Sequence, residues 1–126
     1  GPMYGLLLVM AGGAVGAGLR YGVSWWAAGA FAGGFPWGTL IVNLSGGLLM
    51  GVLAGAVLRE GAGIPVHLLA GVGILGGFTT FSAFSLEVVV MVEGGALGAA
   101  LGYILASVVG STLLLFAGLM LGRAVA

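Results

Sequence analysis

Four polar side chains in this apolar chain could act together on an ion. Asn43 lies in the second apolar segment, and Tyr103, Ser107 and Ser111 recur at every fourth residue of the last one. That spacing places the three hydroxyls on one face of a helix, along about 12 Å at 1.5 Å per residue. The pattern predicts a row of hydrogen-bond donors that continues from the Asn43 amide. The alternative for Asn43 is a structural bridge between helices.

A break interrupts the third apolar segment at residues 76–85, Gly-Gly-Phe-Thr-Thr-Phe-Ser-Ala-Phe-Ser. Unsatisfied backbone groups are costly in lipid, so a broken helix is stable only where it is buried or lines a pathway. The break therefore predicts an ion or substrate site. Phe81 and Phe84 follow it, and the positive edges of their rings are suited to a small anion. Ordinary core packing is the alternative for this pair.

The composition identifies an integral membrane protein. Of 126 residues, 61% are hydrophobic and 5% are charged, whereas a soluble domain has about 25% charged residues. The fold class is all-α, with four segments long enough to cross a lipid bilayer. These segments are residues 4–30, 38–58, 65–92 with a break near 76–80, and 95–121. They form a single domain, residues 3–126, and Gly1-Pro2 is typical of an expression scar.

Several functional classes are excluded by the residues themselves. With three Arg, three Glu, one His and no Cys, no catalytic triad, carboxylate pair or thiolate cluster can be assembled, so the protein is not expected to be an enzyme. We also expect no organic cofactor, and the lack of a basic patch argues against nucleic acid as a partner.

The charges indicate an ambiguous orientation in the membrane. Arg59 and Arg123 fall on one side of a four-span chain and Arg20 falls on the other, which is a weak positive-inside signal. Insertion in both orientations would permit an antiparallel homodimer in which every site is doubled. Glu87 is expected to form an ion pair with Arg20.

Glycines spaced by four residues predict close helix packing. The second segment carries Gly47, Gly51 and Gly55, and the first carries Gly12 and Gly16. Small residues at this spacing allow helix backbones to approach closely in lipid. The last segment continues the pattern at Gly94, Gly98, Gly102, Ala106, Gly110, Gly118 and Gly122.

Three stretches of the chain resemble the motifs of the Fluc fluoride channels, also called the CrcB family. They are residues 76–85, residues 38–44 (Gly-Thr-Leu-Ile-Val-Asn-Leu) and residues 19–21 (Leu-Arg-Tyr). The spacing of the three hydroxyls on the last segment is similar to that family's polar track. The resemblance covers essentially the whole chain. It implies an antiparallel, dual-topology homodimer in a prokaryotic plasma membrane, with two pores that export fluoride passively and protect the cell.

The resemblance also implies roles for individual residues. The backbone carbonyls of Gly76 and Thr79, from both subunits, would hold a structural Na⁺ on the two-fold axis, and Arg20 would lie near a vestibule. The family usually has Thr where this chain has Ala83, which removes a hydroxyl near the polar track. The implied pore residues are Asn43, Phe81, Phe84, Tyr103, Ser107 and Ser111.

Two other functions are alternatives. A small proton-coupled multidrug exporter needs a carboxylate near the middle of its first span, and the first segment here has none before Arg20. A membrane scaffold without transport activity would explain the glycines, but it would not explain an amide, hydroxyls and a helix break at the same depth.

Overall fold

The computed structural model describes residues 1–57 and 63–126, and every regular element in these ranges is helical. Four stretches of the described residues are long and apolar enough to cross a membrane, as the sequence predicts. The third stretch is divided into two helices by a break. The helices are α1 (Pro2–Ala30), α2 (Trp37–Ala56), α3 (residues 64–78, made of Ile64–Val66, a π-helical stretch His67–Leu75, and Gly76–Phe78), α4 (Phe81–Glu93) and α5 (Leu97–Val125).

The boundaries differ from the predicted ones by a few residues. The last helix begins at Leu97 and continues to Val125, beyond the predicted end at residue 121. Helix α2 ends at Ala56, and the predicted end of the second span at residue 58 lies outside the described residues, as does Arg59.

The predicted break in the third span is confirmed and is narrower than expected. Only Thr79 (φ −79°, ψ 154°) and Thr80 (φ −148°, ψ 121°) leave the helical conformation. Gly76 and Gly77 remain in α3. Gly77 instead packs against α1, since a Cβ added there would lie 2.7 Å from the Gly13 carbonyl oxygen. The glycines before the break therefore serve helix packing, and the two threonines form the break itself.

Helices α2 and α5 pack backbone to backbone through the predicted glycines. A Cβ added to Gly51 would overlap the Leu115 carbonyl, and one added to Gly118 would overlap the Leu48 carbonyl. At the other end of α5, Gly98 and Gly102 have open space around them. The predicted close packing is therefore present in the second half of α5, and Gly98 and Gly102 of its first half make no such contact with the described residues.

The predicted role of the glycines of α1 is also confirmed. Gly12 lies against the backbone of Gly73, and Gly16 lies against the carbonyl of Ile74, so that an added Cβ at either glycine would overlap α3. The close contact fixes α3, and hence the break at its end, against α1.

Candidate functional site

A cavity of about 380 Å³ lies beside the break, between α2, the third span and α5. The backbone break contributes Thr79 and Thr80 to its lining. Five of the six predicted pore residues also line it, namely Asn43, Phe81, Phe84, Ser107 and Ser111. Residues from three separate segments of the sequence thus line one cavity.

The Asn43 side chain is bonded to the backbone of the break. Its Nδ2 donates to the Thr80 carbonyl at 3.0 Å, and its Oδ1 accepts from the Thr80 N–H at 2.8 Å. These two bonds satisfy backbone groups that leave the helical ladder. An amide nitrogen carries two hydrogens, so one remains outside this pair of bonds. The structural bridge and a position on the cavity wall are therefore compatible in one residue.

The break separates several carbonyls from their helical donors, among them those of Gly76 and Thr79. In an uninterrupted helix, Gly76 would accept from the N–H of Thr80 and Thr79 would accept from the N–H of Ala83. Here the Thr80 N–H bonds to Asn43 Oδ1, and the Ala83 N–H bonds to Thr80 Oγ1 at 3.2 Å. The carbonyl oxygens of Gly76 and Thr79 are the atoms expected to hold Na⁺, and neutral oxygens that can replace hydration suit such a cation.

The hydroxyls of α5 have different hydrogen-bond partners. Ser111 Oγ donates to the Asn43 carbonyl at 3.2 Å, and Thr112 Oγ1 donates to its own helix at Val108, at 2.7 Å. Ser107 Oγ is buried and has no hydrogen-bond partner among the described residues. Burying a hydroxyl without a partner is unfavourable. Ser107 is thus the lining hydroxyl best placed to donate to an ion in the cavity.

The two phenylalanines occupy opposite environments. Phe84 is 7% exposed and forms part of the core with Leu40 and Tyr103. Phe81 is 76% exposed at the rim of the cavity, with its ring centroid 5.6 Å from that of Phe84. Phe84 is therefore part of the cavity wall, whereas Phe81 has most of its ring uncovered.

Tyr103 is fully buried and does not line the 380 Å³ cavity. Its hydroxyl donates to Glu87 Oε1 at 3.0 Å, and Thr39 Oγ1 donates to Glu87 Oε2 at the same distance. The ring of Tyr103 packs on Phe84, with centroids 5.1 Å apart. The expected row of three hydroxyls is therefore divided between the cavity and a carboxylate on the other side of Phe84.

The expected ion pair between Arg20 and Glu87 is wrong. Arg20 on α1 donates from Nε to the carbonyl of Gly77 on α3, at 3.2 Å. The carboxylate of Glu87 faces α2 and α5, where hydroxyl groups satisfy both of its oxygens. The two side chains are thus directed to different neighbours, and Arg20 lies against the backbone just before the break.

Two features of the site were not predicted. Thr80 caps α4 by accepting from Ala83, and Thr is a favoured capping residue at a helix start, so the sequence contained a signal for it. No comparable signal links Glu87 to Thr39, which is 48 positions away. Ala83 itself is not among the residues that line the cavity.

Comparison with known proteins gives a consistent result. The model of the family described as CrcB-like protein, Camphor Resistance (CrcB), matches residues 7–119. A protein named fluoride-specific ion channel FluC from Chelativorans sp. (strain BNC1) is 52% identical, over 98% of this chain and 99% of its own. Proteins of the same name from Caulobacter sp. (strain K31) and Agrobacterium fabrum (strain C58) are 51% and 49% identical, over 94% and 96% of this chain, and 94% and 98% of theirs.

Proposed function

The chain belongs to the CrcB-like family, and from that premise we propose that it is a fluoride-selective ion channel that exports fluoride passively and protects the cell from its toxicity. It is a multi-pass membrane protein of a prokaryote. The observation that supports the assignment most strongly is the cavity at the break, where an amide, a buried hydroxyl and two phenyl rings come together without a charged side chain.

The cavity lining suits a small anion with tightly held water. Removing that water must be offset by donors, yet binding has to remain weak enough for the ion to leave. The unused amide hydrogen of Asn43 and the hydroxyl of Ser107 would supply such donors. The edges of Phe81 and Phe84 add positive electrostatic potential without a fixed charge. A narrow pathway of this kind would discriminate against the larger chloride ion.

We propose that the functional unit is an antiparallel homodimer with two pores. Phe81 is three-quarters exposed at the rim, so its side of the cavity lacks a wall in a single subunit. A second copy inserted in the opposite orientation would cover this ring and supply its own. Two-fold symmetry would then generate two equivalent cavities.

We also propose a structural Na⁺ between the two subunits, held by the carbonyl oxygens of Gly76 and Thr79 from each. Diversion of their helical donors to Asn43 and Thr80 supports this proposal. When bound, the cation would supply a positive charge that joins the two breaks. Replacing Na⁺ by the larger K⁺ at constant ionic strength should then lower the thermal stability of the dimer. Unchanged stability after exhaustive exchange would count against the site.

Arg20 would contribute to a vestibule for anions in this proposal. Its Nε is bonded to Gly77, but a guanidinium carries five N–H donors. The remaining donors would draw anions toward the break. Anchoring on α3 would keep this charge at a fixed distance from the cavity, so that it attracts fluoride without trapping it.

The proposal is tested by efflux from liposomes that contain the purified protein and are loaded with both fluoride and chloride. Two ion-selective electrodes would follow the two anions in the same sample. Fast fluoride release with retention of chloride is the expected result. If assembled protein releases neither anion, transport of another substrate or a scaffold function becomes the better interpretation. Equal release of both anions would refute selectivity.

A further inference from the structure

A second cavity, of about 300 Å³, lies on the other side of the Phe84 and Tyr103 core. It is formed by the end of α1, the connection to α2 and one side of α4. Among the described residues that line it, Glu87 alone is charged. Its volume is at the small end of the range of about 300–1,000 Å³ for ligand sites. The cavity is thus suited to a small ligand.

The charge of Glu87 is not neutralised by the contacts of the described residues. Both hydrogen bonds to its carboxylate come from neutral hydroxyls, on Thr39 and Tyr103. Arg20 is instead bonded to the Gly77 carbonyl. A half-buried carboxylate in a membrane protein is costly unless a cation or further donors accompany it. The cavity therefore presents a net negative charge to whatever enters it.

Aromatic residues make up part of the wall of this cavity. The ring centroids of Phe31 and Trp37 are 5.4 Å apart, and those of Phe35 and Trp37 are 4.8 Å apart. All three residues line the cavity together with Glu87. Aromatic faces attract ammonium groups, and cages of such rings recognise quaternary ammonium ligands. A strongly hydrated metal ion would gain little from this wall.

We propose that this second cavity binds a small organic cation of the ammonium class. Glu87 is its counter-ion, and Phe31, Phe35 and Trp37 provide its aromatic surface. The negative charge of the carboxylate requires a positively charged ligand, and the aromatic wall favours a weakly hydrated ammonium group. The binding test contains no fluoride, so its outcome can be told apart from the outcome of the fluoride-efflux test.

The test is a titration of the purified protein with tetramethylammonium chloride, without fluoride and with NaCl lowered to keep the ionic strength constant. A background of Trp25→Phe and Trp26→Phe leaves Trp37 as the fluorescent reporter at the site. We expect a saturable change in its fluorescence. A change that is linear in concentration, or absent, would overturn the proposal.

Glu87→Gln is the decisive variant, because glutamine keeps an acceptor for the neighbouring hydroxyls and removes the charge. Affinity for tetramethylammonium should fall about tenfold or more. Glu93→Gln is the matched control, since Glu93 is an exposed carboxylate at the end of the same helix. The affinity of this variant for tetramethylammonium should equal that of the unsubstituted protein. Equal affinities in the two variants would refute the role of Glu87.

A second variant tests the ammonium site if the Glu87→Gln protein does not fold. Phe31 is 41% exposed, so Phe31→Leu should fold and remove one aromatic face. Affinity should then fall about two- to fivefold, the usual contribution of one cation–π contact. Unchanged affinity in Phe31→Leu would contradict an aromatic ammonium site.

Discussion

The side chain of Asn43 and the backbone of Thr80 form two hydrogen bonds, one in each direction, at 3.0 and 2.8 Å. The amide thereby replaces the helical partners of the residue at which the third span is broken. The same contact positions α4, whose first residue is Phe81, relative to α2. Asn43 thus supports the geometry of the cavity and also lines it.

Asn43→Asp should strongly reduce fluoride flux. A carboxylate cannot donate to the Thr80 carbonyl, so two acceptors would face each other, and the added negative charge would repel the anion. We expect a loss of about 10- to 100-fold, because hydrogen bonds involving charged groups contribute about 1.5–3 kcal/mol. The loss of flux is measured as fluoride efflux from liposomes. Ser45→Ala is the control, since Ser45 does not line the cavity and donates to its own helix. Flux of Asn43→Asp equal to that of the control would contradict this role.

Ser107→Ala should separate transport from stability. Its hydroxyl is buried without a partner among the described residues, so its removal should leave thermal stability equal or slightly higher. Fluoride flux should fall, by about tenfold or more, if the hydroxyl donates to the ion. The matched variant is Ser45→Ala, which removes a hydroxyl bonded to the carbonyl of Ile41 within its own helix. Normal flux in Ser107→Ala would show that this hydroxyl is not a donor to fluoride.

Thr80→Val and Thr79→Val form a matched pair of adjacent substitutions. Thr80 Oγ1 caps α4 at the N–H of Ala83, whereas Thr79 Oγ1 donates back to Leu75 in α3. Loss of a cap costs about 0.5–2 kcal/mol, and loss of a back-bond should cost less. The melting temperature should therefore fall more in Thr80→Val. The reverse order would indicate that the cap contributes little to the break.

Gly51→Ala should destabilise the bundle, since the new Cβ would overlap the Leu115 carbonyl. Overpacking of this kind costs about 1–3 kcal/mol. Gly102→Ala offers a control on α5, where an added Cβ meets nothing within 4 Å. Thermal unfolding in detergent should show a lower midpoint for the first variant only. Similar midpoints would mean that α2 and α5 separate easily to accommodate the methyl group.

Much of the fold follows from local patterns. Apolar length predicts four spans, and glycine spacing predicts the contact of α2 with α5, because both depend on residues within one helix. The narrow break at Thr79 and Thr80 was harder to predict, since Gly76 and Gly77 disfavour helices in general but are required here for contact with α1.

Several residues that line the cavity could be selected from the sequence, whereas the hydrogen-bond partners of the polar residues could not. Asn43, Ser107 and Ser111 were identified as polar groups at membrane depth, and they do line one cavity. The hydrogen-bond partners of Glu87 were not predicted, because its contacts depend on the relative rotation of helices that are far apart in sequence. Opposite charge favoured Arg20 as the partner of Glu87, but Arg20 instead donates a hydrogen bond to the Gly77 carbonyl on α3.

The most direct test of the account compares two exposed phenylalanines in the same assay. Phe81→Ile removes a ring at the rim of the cavity, and Phe116→Ile removes a ring on α5 that lines none of the cavities described. Fluoride and chloride efflux would be recorded together from liposomes with equal amounts of protein. The account predicts loss of fluoride efflux in Phe81→Ile alone, with chloride retained throughout. Wild-type fluoride efflux in Phe81→Ile would contradict a pathway through this cavity.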